Sequence, residues 1–215
     1  MKGKGFLVAL LSLFLFVAPV QAIGILDFNM DANHPAGASI SYAGGATPLI
    51  GVNISVDSVL GIGTPVNSGV TVPFVGILNF TSGNYTGGGA GQWNFSGGGS
   101  ISVDIPSIPQ NVLSGTFTTA RVEINPGGFR VVIGGFDDFK WDEITDFYGL
   151  PGGPYDGSIN LSFLTTGTPP NAFTSSQVLS GDIINTPDKV PEPISLILLG
   201  SGLAGAGLVR RWRKK

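Results

Sequence analysis

The sequence lacks cysteine altogether, holds a single histidine and is poor in charge. Without cysteine the chain can form no disulfide, and it has neither a thiolate nucleophile nor a cysteine-ligated zinc or iron–sulfur site. Only 12% of the residues are Asp, Glu, Lys or Arg, which argues against long solvated helices and against a charged disordered tail. The composition instead suits short strands joined by tight turns.

The few charges are distributed unevenly along the chain. Residues 23–189 hold four basic and thirteen acidic residues, a formal charge of −9, while the other seven basic residues lie at the two ends. A body this acidic repels the phosphate backbone of nucleic acids. We therefore expect no nucleic-acid partner.

Residues 1–22 have the pattern of a secretory signal peptide. Two lysines precede an apolar run over residues 6–17, and Val20 and Ala22 place small side chains just ahead of the predicted cut. We expect the Sec machinery to export the chain and signal peptidase to cleave it between Ala22 and Ile23. The alternative is an uncleaved N-terminal membrane helix.

The C-terminal end carries the most specific pattern. A Pro-rich linker over residues 186–193 ends in Val190, Pro191, Glu192 and Pro193, and residues 194–209 follow without a charge. The chain then ends, over residues 210–215, in a basic cluster of Arg210, Arg211, Arg213, Lys214 and Lys215. At about 1.5 Å per residue, a helix over residues 194–209 is roughly 24 Å long. We expect it to cross the membrane with the basic tail in the cytoplasm and residues 23–185 outside.

This order of Pro-Glu-Pro, short apolar helix, basic cluster and chain end resembles the PEP-CTERM sorting signal of Gram-negative bacteria. The resemblance implies an exosortase-type membrane enzyme as partner and tethering in the inner membrane during sorting. It also implies a final place at the cell surface or in the exopolysaccharide matrix of a biofilm. More loosely, residues 39–45 and 178–182 resemble the bodies of PEP-CTERM proteins of unassigned activity. An ordinary tail anchor is the alternative.

Apolar and polar residues alternate with period two along much of the body, which is typical of half-buried antiparallel strands. The clearest segments are 52–56, 101–105, 121–124 and 159–163, with further strands expected over 38–43, 74–80, 112–119, 129–134 and 177–184. We predict an antiparallel β-sandwich of jelly-roll or immunoglobulin-like kind over residues 23–185, with a closed barrel as the alternative. The Gly-rich segments 87–91 and 97–99 are interpreted as hairpin loops.

Residues 138–148 break this alternation and predict one short helix. Trp141, Ile144 and Tyr148 share one helical face, Asp137 or Asp138 can cap the start, and Gly149 can close the end. Asp137, Asp138 and Asp142 are weak candidates for a Ca²⁺ site, but helix capping explains acids at this position more simply.

The remaining candidates for chemistry are few. His34 precedes a proline in a polar stretch and no Gly-x-Ser-x-Gly motif occurs, so a serine hydrolase triad is not indicated. Trp93, Trp141 and Tyr155 could stack on sugar rings, although aromatic residues between sheets are more often buried. The sequence thus favours an exported protein without catalysis or cofactor. A carbohydrate-binding module of the matrix is the alternative, and a glycoside hydrolase with paired carboxylates is less favoured.

If Val20 and Ala22 direct signal peptidase, the mature protein begins at Ile23. N-terminal sequencing of exported protein checks this, because an uncleaved signal would instead give a chain beginning at Met1.

Overall fold

The computed structural model describes residues 24–30, 37–107 and 110–188. The predictions for the signal peptide and its cleavage at Ala22, for His34, for the sorting motif, for the helix over residues 194–209 and for the basic cluster lie outside the described residues.

The described chain is built of β-strands and one short helix. The helix, α1, spans Asp142–Tyr148. The strands are β1 (Ile25–Met30), β2 (Ser39–Tyr42), β3 (Pro48–Ile62), β4 (Thr71–Gly89), β5 (Gln92–Ile105), β6 (Gln110–Asn125), β7 (Gly128–Lys140), β8 (Tyr155–Leu164), β9 (Phe173–Ser175) and β10 (Gln177–Pro187).

All of these strands belong to one antiparallel sheet that closes on itself. From β3 to β8 each strand pairs with the next along the chain, and β8 then pairs with β10. β1 completes the ring, because it pairs with β10 on one side and with the end of β3 on the other. β2 pairs with the start of β3 and with β9, so it continues the position of β1 along the same edge.

The predicted antiparallel all-β fold with a single short helix is confirmed. The sheet packs its inner face against itself, as a sandwich does. Its strands nevertheless follow one another as a meander, and the Greek-key crossover of a jelly roll or an immunoglobulin-like sandwich does not occur among the described strands. The predicted segments 112–119 and 121–124 are two parts of one strand, β6.

Extra residues in several strands bend the sheet. β3 carries one at Asn53, β5 at Gly98 and β7 at Gly135, all with positive φ (55°, 84° and 62°). A bulge of this kind bends its strand and increases the local twist, which lets one sheet curl until its edges meet. The prediction of a hairpin loop over residues 97–99 is therefore wrong: this segment lies inside β5 and bends it. Residues 87–89 end β4, and the hairpin turn follows at residues 90–91.

The inward side chains of the strands form a single core. Along β8, Tyr155, Ile159, Leu161 and Phe163 are fully buried at alternate positions. The largest side chains with almost no solvent exposure are Tyr42, Tyr148, Tyr155, Phe28, Phe117 and Phe163. A core of this size needs no disulfide or metal to hold it together.

α1 packs on the core through the predicted face. Ile144 and Tyr148 are buried, and the Tyr148 hydroxyl lies 2.8 Å from the carbonyl oxygen of Val59 in β3. Gly149 adopts a left-handed conformation (φ 65°) and ends the helix, as predicted. The prediction that Asp137 or Asp138 caps the helix is wrong, because both belong to β7. Trp141 occupies the N-cap position and makes no side-chain capping bond.

Close passage of neighbouring strands requires glycine at residue 99. A Cβ there would lie 2.0 Å from the carbonyl oxygen of Thr81, and backbone cannot move away cheaply. We expect Gly99→Ala to lower the free energy of unfolding by about 1–3 kcal/mol. At Gly134 the nearest atom would be 3.7 Å away, so Gly134→Ala is the control and should be neutral or stabilise by about 0.4–1 kcal/mol. Urea unfolding measures both, and equal midpoints would contradict the expectation.

Candidate functional site

The structure places the three aromatic candidates differently. Trp93 is 8% exposed and lies in the core, with its ring centroid 6.2 Å from that of Phe129, and Tyr155 is 0% exposed. Neither ring presents an open face for stacking on a sugar. Trp141, partly exposed beside α1, is the remaining candidate of the three.

The structure does not bring the three acidic candidates together. Asp137 is exposed and Asp138 is buried, because successive residues of a strand point to opposite faces of the sheet. Asp142 is exposed in the first turn of α1. Within the described ranges, no group of three or more His, Cys, Asp and Glu side chains is placed to hold a metal ion.

The most unusual polar group of the described chain lies inside the ring of strands. Asp138 and Lys140 both point inward from the end of β7, and their side chains are 0% exposed. The Lys140 Nζ donates to Oδ1 of Asp138. From β10, Asn185 donates through Nδ2 to Oδ2 of the same carboxylate at 2.7 Å. One carboxylate therefore holds an amine on one oxygen and a carboxamide on the other. We call Asp138, Lys140 and Asn185 the buried triad.

The strand register explains how the triad assembles. β8 separates β7 from β10, with Tyr155 opposite Asp138 and Gly157 opposite Asn185. Gly157 has no side chain, so the inner face of β8 leaves room for the Asn185 amide to reach across to Asp138. The triad is thus built by two strands, β7 and β10, held in place by the strand between them, rather than by one flexible loop.

Aromatic rings enclose the amine of the triad. The Lys140 Nζ lies 4.7 Å from the ring centroid of Tyr155 and 5.9 Å from that of Phe28, within the range of cation–π interaction. The Tyr155 hydroxyl donates to the carbonyl oxygen of Pro151 at 2.7 Å. That bond holds the ring in place beside the ammonium group.

Burial moves the acid and the base of the triad toward their neutral forms. Loss of solvation raises the pKa of Asp138 from 3.8 to about 6, although Lys140 and Asn185 oppose the rise. The same cause lowers the pKa of Lys140 from 10.5 to about 8, against the pull of Asp138. Burial and the nearby Asp138 also raise the pKa of Tyr155. A buried ion pair is costly to desolvate, and these shifts bring its neutral and charged forms closer in free energy than they are in water.

Asn185 has one further property. Its side-chain oxygen Oδ1 is buried and has no hydrogen-bond partner among the described residues. An unsatisfied buried acceptor costs about 1–3 kcal/mol, so its presence beside a carboxyl group of raised pKa calls for an explanation. A protonated Asp138 could donate to it after a turn of the amide.

Sequence reasoning missed Lys140 and Asn185. The prediction of a helix over residues 138–148 hid the alternation of Asp138, Phe139 and Lys140, in which the apolar residue is 63% exposed and the charged residues point inward. That inverted pattern is the signal that could have revealed the pair, once the helix is known to begin at Asp142.

Comparison with known proteins identifies the C-terminal segment. Residues 189–214 match the family model of the PEP-CTERM protein-sorting motif. The matched range contains the Pro-Glu-Pro motif at residues 191–193 and most of the basic cluster. No curated protein and no solved structure matches the chain. In the part of the chain that the structure describes, no helix has the length and apolar character needed to cross a membrane.

The raised pKa of Asp138 makes stability depend on pH. A carboxyl group whose pKa is higher in the folded state stabilises the fold fully below its unfolded value of about 4, and this contribution is lost as the pH rises through about 6. We expect the wild-type protein to have a higher free energy of unfolding at pH 4.5 than at pH 7. This gain on acidification should be larger than the gain of Asp138→Asn by on the order of 2 kcal/mol. Urea unfolding at both pH values measures this, with Asp142→Asn as the exposed control. Parallel pH profiles for wild type and Asp138→Asn would contradict it.

Proposed function

We propose that this chain, which carries a PEP-CTERM protein-sorting motif at residues 189–214, is an exported protein released by an exosortase-type enzyme to the cell surface or the exopolysaccharide matrix. The match of the C-terminal segment to the sorting motif is the observation that carries the proposal. Such a motif implies export and membrane-associated sorting. The N-terminal signal pattern, at the opposite end of the chain, agrees with that route.

The end of the folded domain supports removal of the sorting segment. β10 ends at Pro187 and the matched motif begins at residue 189. Cleavage within residues 190–193 would therefore remove none of the described strands. β10 would keep its partners β1 and β8, and the closed sheet would stay complete after release.

The composition of the segment suits a transient anchor. Six of the sixteen residues over 194–209 are Gly or Ala, which contribute little apolar area and leave a smooth surface for a partner helix. Pro191 and Pro193 each disfavour helix in the residue before them. The chain just outside the bilayer would then be extended, the form in which a protease-like site grips its substrate.

In this proposal the released domain acts without catalysis, as a component of the envelope or matrix. The chain offers no Gly-x-Ser-x-Gly nucleophile motif and no cysteine. A glycoside hydrolase would need two carboxyl groups about 5–9.5 Å apart across a cleft. Asp138, the most perturbed acid, instead lies inside the sheet, paired with Lys140.

A carbohydrate-binding module is the second candidate. Phe139 is 63% exposed and Phe147 is 40% exposed, on either side of the partly exposed Trp141 in the sequence. Exposed aromatic side chains of this kind can stack on sugar rings. The test is electrophoresis through a gel that contains the exopolysaccharide of the host. Slower migration of the wild-type protein, with normal migration of Phe139→Ala, would favour this role over a purely structural one.

Removal of the tail tests the main proposal. In a cell that has an exosortase, we expect mass spectrometry of the mature surface protein to find no residues beyond the 190–193 region. Glu192→Ala should block release, because it alters the motif between the two prolines, while the domain still crosses the membrane. Asp188→Ala changes an acidic residue just before the matched segment and serves as the matched control that should be released normally.

Retention of the tail would contradict the proposal. If residues 194–215 remain on the mature protein in an exosortase-positive cell, the segment is an ordinary membrane anchor and the proposal fails. In a cell without exosortase, retention of the tail is the expected outcome.

A further inference from the structure

We propose that Lys140 and Asn185 become covalently joined by an isopeptide bond, formed when the Lys140 amine displaces ammonia from the Asn185 side chain with Asp138 as proton-transfer catalyst. The bond would connect β7 to β10 across β8. It is independent of the sorting function and concerns the body of the protein, to which the sorting motif assigns no role.

The geometry of the buried triad brings the reacting groups together. The Lys140 Nζ contacts Oδ1 of Asp138, and the Asn185 Nδ2 lies 2.7 Å from Oδ2. The amine and the carboxamide are therefore bound to the two oxygens of one carboxyl group. Attack requires the nitrogen to approach the amide carbon to about 3–3.5 Å. Rotation within the flexible Lys140 side chain and about the last torsion of Asn185, which is broad, would bring Nζ to Cγ.

The surroundings favour acylation over hydrolysis. The side chains of Lys140 and Asp138 and the whole of Asn185 are 0% exposed. Tyr155 and Phe28 cover the amine. Water, the competing nucleophile, is excluded from such a site, and the loss of solvation strengthens the interactions of Asp138 with the groups beside it.

The protonation states also suit the reaction. An amine attacks only when it is neutral, and burial lowers the pKa of Lys140 while it raises that of Asp138. Transfer of one proton from Lys140 to Asp138 therefore gives the two forms needed, a free amine and a carboxylic acid. The acid can donate to Oδ1 of Asn185, which has no hydrogen-bond partner among the described residues.

The atoms balance without any further reagent. The lone pair of Nζ forms a bond to Cγ of Asn185 while Asp138 protonates the amide oxygen. Asp138 then takes a proton from Nζ and delivers one to Nδ2. As the bond between Cγ and Nδ2 breaks and the carbonyl group re-forms, the proton on the former amide oxygen returns to Asp138. The products are a secondary amide, ammonia and the neutral Asp138 acid. A buried ion pair is thereby replaced by an uncharged amide, which lowers the cost of burial.

Peptide mapping of the full-length chain tests the proposal. After denaturation, a protease that cleaves before Asp releases residues 138–141 and 182–187 as two peptides if no bond exists. With the isopeptide bond, they appear as one branched species whose mass is their sum less one ammonia. We expect this branched species to be the main product from wild-type protein, and fragmentation should locate the branch at Lys140 and Asn185.

Three variants serve as controls. Lys140→Arg keeps the positive charge but cannot form the bond, and Asn185→Ala lacks the amide, so both should give separate peptides. Asp138→Asn removes the proton-transfer group, and we expect it to slow bond formation by about 10²–10⁴-fold. In that variant the peptide begins at Asp137.

Each contrary outcome overturns the proposal. Separate peptides from folded wild-type protein would show that the triad is only a non-covalent ion pair, and this result needs no variant to fold. Loss of water rather than ammonia within residues 138–141 would place a bond between Lys140 and Asp138 instead. Loss of ammonia that persists in Lys140→Arg would identify an unrelated change of an asparagine.

Discussion

The closure of the sheet by β1 is the constraint on which the rest of the structure depends. β1 is six residues long, yet it satisfies the backbone groups of β10 on one side and of β3 on the other. Without it both strands would expose unpaired edges, which are templates for aggregation. Closure also turns every inward side chain toward one shared interior, so that residues far apart in sequence become core neighbours.

That interior contains charge where an apolar residue would be cheaper. Breaking a buried ion pair by removal of one partner typically costs about 3–5 kcal/mol, whereas replacing both partners by apolar residues is often neutral. A pair of leucines in place of Asp138 and Lys140 would thus stabilise the fold about as well. Their position, two residues apart on one strand and in reach of an amide from β10, gives them a chemical capacity that leucines lack.

Local patterns in the sequence predicted most of the strands, but they could not predict which distant strands pair. Alternation located the strands because each polar residue such as Ser102 or Asn160 sits between inward apolar ones. It could not show that Leu26 meets Asn185, since nothing local records the pairing of the first strand with the last. The bend at Gly98 looked like a loop because glycine supplies positive φ in both settings. The triad was missed because its charged residues point inward, which inverts the pattern on which the prediction relied. The sorting segment was found because its signal lies in consecutive residues of the sequence.

The pairing of the first strand with the last also has a consequence in time. A chain that crosses a membrane N-terminus first delivers β1 at the outset and β10 at the end, so the contact between Leu26 and Asn185 waits for nearly the whole domain to arrive. Contacts of such long sequence separation form slowly and leave edges open meanwhile. The motif begins two residues after β10 ends, so in an exported chain the ring can close only once export has reached the segment that addresses the protein. Completion of the fold and presentation of the address are therefore set by the same stretch of chain.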